Sequence, residues 1–362
     1  MPEPPYSYEM RVAVLLVVAA ISGAACSSTG TSTPSTTTPA SSSAVATTAI
    51  TTDVVSTDVV TTVTDPPSTE SVTTEPPSTD PTVTDAPTAS TDPAVPEPTD
   101  SVPADRPFDV FVPTTYDAST PTPLVVLLHG YSATGAVQEA YFGLQPLAEQ
   151  HGFLFVHPDG TTDARGNQFW NATNACCGFS NDVDDSAYLM SIIHQVERDY
   201  NVDRKRIFLI GHSNGGFMSY RMACDHADTI AAIVSLAGAT FADTSRCSPS
   251  EPVSVLQIHG TADATIAYDG GNIVGQTYPG APKSVMTWAT YDGCTPTPVP
   301  SAETLDLASQ IDGAETSVET FAGCSTGIDV ELWTVAGGPH TPALSATFAP
   351  SAIDFLLSHP KP

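Results

Sequence analysis

The sequence predicts an α/β fold with a mostly parallel central sheet and helices on both faces. Short, continuous apolar runs alternate with helical segments through residues 105–362. Strands read this way when both faces of the sheet are covered, because no face is left for polar residues. One run meets a helix through a tight turn, Gly211-His212-Ser213-Asn214-Gly215. Glycine, histidine and aspartate also gather just after the apolar runs, where open α/β sheets place their sites.

The elements follow in order. Phe108–Val112 reads as an edge strand, and Pro123–Leu128 as a buried strand ending at His129-Gly130. Gly135–Gln150 reads as one helix, with Val137, Tyr141, Leu144 and Leu147 at helical spacing. Phe153–Val156 is the next strand, Asp185–Tyr200 a helix, and Ile207–Ile210 the strand that enters the glycine turn. Phe217–Cys224 is the helix that leaves it. Ile230–Leu236, Val253–Ile258 and Val330–Val335 are further strands, and Pro282–Tyr291 and Phe348–Ser358 further helices.

Ahead of this domain, which the sequence places at 104–362, lie two segments of other kinds. Arg11 precedes the apolar run Val12–Ile21, which ends in Ser22-Gly23-Ala24-Ala25-Cys26. The run is too short to span a bilayer, which takes about 20 helical residues, and residues 1–26 read as an export signal. Met10 is the better initiator, since Met1–Glu9 carries Glu3 and Glu9 and no basic side chain. Ala-Ala-Cys resembles a lipobox, with Cys26 as the lipidated residue; Gly23 departs from that pattern and leaves ordinary cleavage and secretion open. Residues 27–103 are Thr, Ser, Pro, Ala and Val with regular Asp or Glu and no aromatics. Such a stretch cannot bury enough apolar surface to offset its ordering entropy and reads as a disordered linker.

The formal net charge is −29, shared as −12 over residues 1–105 and −17 over the rest. Nucleic acid and anionic membrane surfaces would repel such a chain, so contact with a membrane is expected only through a lipid anchor. Six cysteines follow Cys26, an even number that favours disulfides in an exported chain. None has zinc spacing. The sequence carries no signature of oligomeric state.

Strand, Gly-x-Ser-x-Gly turn and helix make the nucleophile elbow of the α/β-hydrolase fold. A serine nucleophile needs a histidine base and an acid, which follow it in the order Ser, Asp, His. His340, in Gly337-Gly338-Pro339-His340, follows the last strand and suits the base. His212 is expected to point away from Ser213. His129 and His259 close buried strands and read as structural; His151, His157, His194, His226 and His359 stand in the wrong order, within helices or near the terminus. Asp263, just past the strand Val253–Ile258, suits the acid, whereas Asp269, Asp292 and Asp312 read as solvated turn residues. The oxyanion hole is assigned to the backbone N–H groups of Asn214 and Tyr131. Trp170 and His129 are candidate substrate contacts, Trp170 by stacking on an aromatic group or else as a packed core indole. No metal or organic cofactor is needed.

The chain from about residue 107 resembles the bacterial polyhydroxybutyrate depolymerase and feruloyl esterase family. The resemblance rests on Leu127-Leu128-His129-Gly130-Tyr131, Pro158-Asp159-Gly160, Phe169-Trp170-Asn171, Cys176-Cys177-Gly178 and Val183-Asp184-Asp185. It continues through Val202-Asp203-Arg204, Gly211–Gly216, His259–Asp263 and Gly337–Thr341. It implies an extracellular serine esterase with the triad Ser213, Asp263 and His340, acting on a small-molecule or polymeric ester. The alternatives are a peptidase on the same fold and a non-catalytic surface-binding protein. The family pattern also suggests the disulfides Cys224–Cys247 and Cys294–Cys324, leaving Cys176 and Cys177 as a vicinal pair or reduced. Pro339 and Thr341-Pro342-Ala343 depart from the family's usual His-Thr-Trp-Pro loop. With no polymer-binding domain after His340, soluble short-chain or aromatic-acid esters are expected to be better substrates than crystalline polyester.

Overall fold

A computed structural model describes residues 101–177 and 183–362, which fall in one unit of the chain. The export segment, Cys26 and the spacer up to residue 100 lie outside the described residues. Strands in chain order are β1 (Val110–Phe111), β2 (Thr122–Leu128), β3 (Leu154–Val156), β4 (Thr161–Thr162), β5 (Gln168–Phe169), β6 (Val202–His212) and β7 (Ala232–Leu236). There follow β8 (Ser254–Gly260), β9 (Gly270–Ile273), β10 (Gln276–Pro279), β11 (Pro298–Leu305), β12 (Thr316–Phe321) and β13 (Val330–Val335). The helices are α1 (Gly135–Phe142), α2 (Gln145–His151), α3 (Asp185–Asp199), α4 (Asn214–Asp225), α5 (Ala281–Tyr291) and α6 (Phe348–Ser358).

The main sheet runs β1-β3-β2-β6-β7-β8-β13-β12-β11. Its middle, from β3 to β13, is parallel, and β1, β12 and β11 pair antiparallel at the two ends. Side-chain alternation splits the core into two layers. Leu124, Val126 and Leu128 of β2 face one layer with Leu189 of α3, Phe217 of α4 and Trp288 of α5. Val125 and Leu127 face the other with Phe142 of α1, Ala148 of α2 and Phe348 of α6. Both faces are thus covered, which is why β2 can be apolar at every position from Pro123 to Leu128.

Two expectations need correction. The single helix over 135–150 is broken at Gly143, which adopts φ 69° and ends α1 with its N–H on the Glu139 carbonyl. The Glu139 carboxylate then accepts the N–H groups of Leu144 and Gln145, starting α2 around Pro146. A left-handed glycine and a proline near a helix start outweigh a continuous apolar stripe. The antiparallel pair β11–β12 was not expected. β11 is mostly exposed and carries Pro298 and Pro300, so it shows no apolar pattern and suits only an edge.

Three disulfides are present among the described residues: Cys224–Cys247, Cys294–Cys324 and the vicinal Cys176–Cys177. The first ties the end of α4 to the loop after β7. The second ties the end of α5 to the loop after β12.

Candidate active site

β6 delivers Ser213 to the C-terminal edge of the sheet with φ 53°, a backbone region that side chains other than glycine rarely enter. Two glycines permit it. A Cβ on Gly211 would lie 2.3 Å from the carbonyl of Gly215, and one on Gly215 would lie 2.1 Å from Leu128 O. The strand and helix therefore close around the serine only because both positions lack side chains.

Asp263 and His340 arrive on the turns after β8 and β13, which are parallel neighbours. His340 Nε2 is 2.9 Å from Ser213 Oγ, and His340 Nδ1 is 2.7 Å from Asp263 Oδ2. Asp263 Oδ1 accepts the N–H groups of Thr265 and Ile266, both at 2.8 Å, leaving Oδ2 to the imidazole. Burial pushes the Asp263 carboxyl up. The hydrogen bonds from His259 and His340 and the Ile266 N–H outweigh this and hold it well below the usual carboxylate range.

His259 is buried. The amide of Gln257 donates to its Nδ1 at 3.0 Å, so Nε2 bears the hydrogen and donates to Ile266 O at 2.8 Å. The same Nε2 stands 3.3 Å from Asp263 Oδ2.

His212 does more than point away. Its Nε2 donates to the backbone carbonyl of His340 at 2.9 Å, and its ring lies 5.1 Å from the His340 ring. Burial, followed by the nearby His340 charge, pushes His212 down to about 4, so it is neutral at pH 7. Tyr141 of α1 donates to the carbonyl of Pro342 at 2.7 Å. The loop carrying His340 is therefore held at two carbonyls by side chains distant in sequence. His212→Phe should keep the ring packing but lose the donor. We expect kcat to fall about 10²-fold, the cost of a catalytic group displaced by about 1 Å, with KM little changed. His212→Gln, which keeps an N–H donor, should recover most of the loss. Equal kcat for His212→Phe and wild type would remove the histidine from this role.

The candidate substrate contacts are corrected. Trp170 and His129 are both fully buried, and neither presents a surface to a ligand. The Trp170 indole donates to His129 O at 3.0 Å, and its ring packs on Tyr188. His129 Nε2 accepts the Gly160 N–H at 2.8 Å, so Nδ1 carries the hydrogen and donates to Gly130 O. The two residues instead stiffen the loop that carries Tyr131. The Asn214 side chain clamps it from the elbow, accepting from Trp170 N and donating to Trp170 O. The Tyr131 hydroxyl donates to Asp163 Oδ2 at 2.7 Å, which anchors the side chain to the loop before β5. Asn214 N–H opens α4, where no intrahelical acceptor exists for it.

Asp292, expected in solvent, is buried beside the Cys294–Cys324 bridge. Oδ1 accepts the Val253 N–H at 3.1 Å, and Oδ2 has no partner among the described residues. Burial pushes this carboxyl up to about 7, against the opposing Val253 bond. The folded chain thus holds the proton more tightly than the unfolded chain. The stability this contributes is full below about pH 4 and is lost as pH rises through about 7. Asp292→Asn, which stays neutral, should therefore gain on the wild type by about 2–3 kcal/mol between pH 5 and pH 8. A Tm difference that does not change with pH would refute this.

Among the described residues no group of three His, Cys, Asp or Glu side chains is placed to hold a metal ion.

A family model described as phospholipase/carboxylesterase matches residues 114–279, a stretch that includes Ser213 and Asp263. Feruloyl esterase C of Emericella nidulans is 31% identical over 228 residues, covering 61% of this chain and 72% of the relative. Feruloyl esterase B of Piromyces equi is 28% identical over 236 residues, covering 63% of this chain but only 41% of the relative. Among solved structures, the acetyl xylan esterase from Aspergillus awamori shares the fold, with a TM-score of 0.50 and 16% identity over 69% of this chain and 93% of that one. The chain belongs to the family of α/β-hydrolase carboxylic ester hydrolases that includes these feruloyl esterases.

Proposed function

We propose that the chain is an extracellular serine esterase that cleaves carboxylic esters of sugars, feruloyl and acetyl esters foremost, through Ser213, His340 and Asp263. One observation carries this reading: a single imidazole bonded to Ser213 on one nitrogen and to Asp263 on the other. Asp263 holds the hydrogen on Nδ1, which leaves the Nε2 lone pair facing the serine hydroxyl. Ser213 Oγ attacks the ester carbonyl as its proton passes to Nε2. The N–H groups of Asn214 and Tyr131 receive the oxyanion. Collapse expels the alcohol, which takes the proton from Nε2, and leaves an acyl-serine. Water then enters, loses a proton to Nε2 and releases the acid, and the proton returns to Ser213. Relatives named feruloyl esterase support the acyl class. The disulfides support an oxidising compartment. An export signal at 1–26, attachment through Cys26 and a spacer at 27–103 would set the 104–362 domain off the cell surface.

Purified protein should be assayed side by side on methyl ferulate, an aryl acetate and the matching amides. Ester turnover with little amide turnover is expected. Preference for the amides would establish the peptidase, and no turnover of any ester would favour the surface-binding reading.

A further inference from the structure

A recess of the described residues lies away from Ser213. A cavity of about 730 Å³ opens along α4, lined by neither Ser213 nor His340. Its buried floor includes Cys177 of the vicinal disulfide and the Phe241 ring, and Arg221 of α4 forms one wall. At the rim, Asn174 Nδ2 donates to Gln276 Oε1 at 2.9 Å, joining the loop after β5 to the β9–β10 hairpin.

Three features suggest that the cavity takes a ligand. Val274, at the hairpin tip on the cavity wall, adopts φ 49° and is 86% exposed. A β-branched residue rarely occupies that backbone region, and an apolar side chain held there in water gains nothing from burial in the fold itself. The wall is also rigidly tied to the elbow. Asn214 clamps Trp170 on both sides and reaches Cys176 Sγ at 3.6 Å, and Asp185 Oδ2 accepts the Asn171 N–H at 2.7 Å. Finally, the charges balance, two guanidinium groups (Arg221 and Arg246) against two carboxylates (Asp225 and Asp184). Arg221 is matched by Asp225 at 3.0 Å and Asp184 at 3.4 Å, and the Arg246 guanidinium lies over the Phe241 ring. What remains toward the cavity is amide donors and acceptors beside apolar faces. That chemistry suits the hydroxyls and C–H faces of a neutral carbohydrate better than a phosphate or a carboxylate.

We propose that this cavity binds the sugar chain of a carbohydrate ester while Ser213 attacks its acyl group. The proposal rests on the esterase reading above and says where the sugar chain of its substrate lies. An α-helix rises 1.5 Å per residue, so Arg221 stands about 12 Å along α4 from Ser213. A methyl or aryl ester at the serine does not reach that far, whereas an ester borne on an oligosaccharide does.

The test is Asn174→Trp, which fills the cavity from an exposed rim position, alongside Gln276→Ala. Both are assayed on methyl ferulate and on a feruloylated oligosaccharide of three or more sugars. For each variant KM on the oligosaccharide ester should rise about tenfold, the scale of one or two lost hydrogen bonds. The kcat/KM on methyl ferulate should stay within about twofold, since those contacts are out of its reach. Calorimetric titration with the unesterified oligosaccharide should show binding to the wild type and not to Asn174→Trp. Equal effects on both esters, or no effect on the oligosaccharide ester, would overturn the proposal. If wild type leaves methyl ferulate intact, the esterase reading fails, and the titration still decides the cavity by itself.

Discussion

Ser213→Ala should lower turnover of a soluble aryl ester by about 10⁶-fold, the typical cost of a lost triad serine, with secondary structure and Tm unchanged. Among the described residues the hydroxyl has one hydrogen-bond partner, His340 Nε2 at 2.9 Å. Its removal leaves no large cavity. The turn around it is set by Gly211 and Gly215, whose close approaches to Gly215 O and Leu128 O do not involve the serine side chain. Activity within about tenfold of wild type would rule out Ser213 as the nucleophile, because it is far below that cost. Unfolding of the variant would be a different result, and near-ultraviolet circular dichroism separates the two.

Asp263→Asn should cost about 10⁴-fold in kcat, as expected when the imidazole is held in the wrong tautomer. The Asn carbonyl can still accept the Thr265 and Ile266 N–H groups that Oδ1 accepts now. The amide nitrogen would then take the place of Oδ2. There it faces two N–H donors, His340 Nδ1 at 2.7 Å and His259 Nε2 at 3.3 Å. Donor facing donor drives the hydrogen of His340 onto Nε2, where it can no longer take the serine proton. The fold should survive, since the turn keeps its backbone bonds. A loss below about tenfold would mean that some other group orients His340.

Much of the architecture was legible in the residues. β2, β7, β8 and β13 coincide with short runs rich in apolar residues, as does Ile207–Ile210 of β6, whose charged first half from Val202 left no such mark. The elbow was legible because its geometry demands glycine at two positions and the demand is local. Asp263 and His340 could be chosen because the fold class ranks loops after strand ends above other places, and both follow such strands.

Burial and partnership were not legible, and these decided the rest. For Trp170 and His129 the sequence offers both a structural and a ligand-facing reading, and for Asp292 a solvated one, because it cannot say whether protein or water lies beyond a side chain near the end of an element. All three are buried, which turns two candidate ligand contacts into supports and a solvated aspartate into one that holds its proton near neutral pH. His212 and Tyr141 hold the His340 loop across 128 and 201 residues of sequence, respectively. No periodicity in either segment encodes a partner so far away. The cavity along α4 is bordered by the loop after β5 and the β9–β10 hairpin, far apart in sequence and joined through Asn174 and Gln276. The chain itself determined periodicity, turn stereochemistry and the order of reactive side chains, since each depends on neighbours a few bonds away. Only tertiary structure decided which polar atoms are enclosed and which distant carbonyl each one meets, because both depend on how separate elements pack.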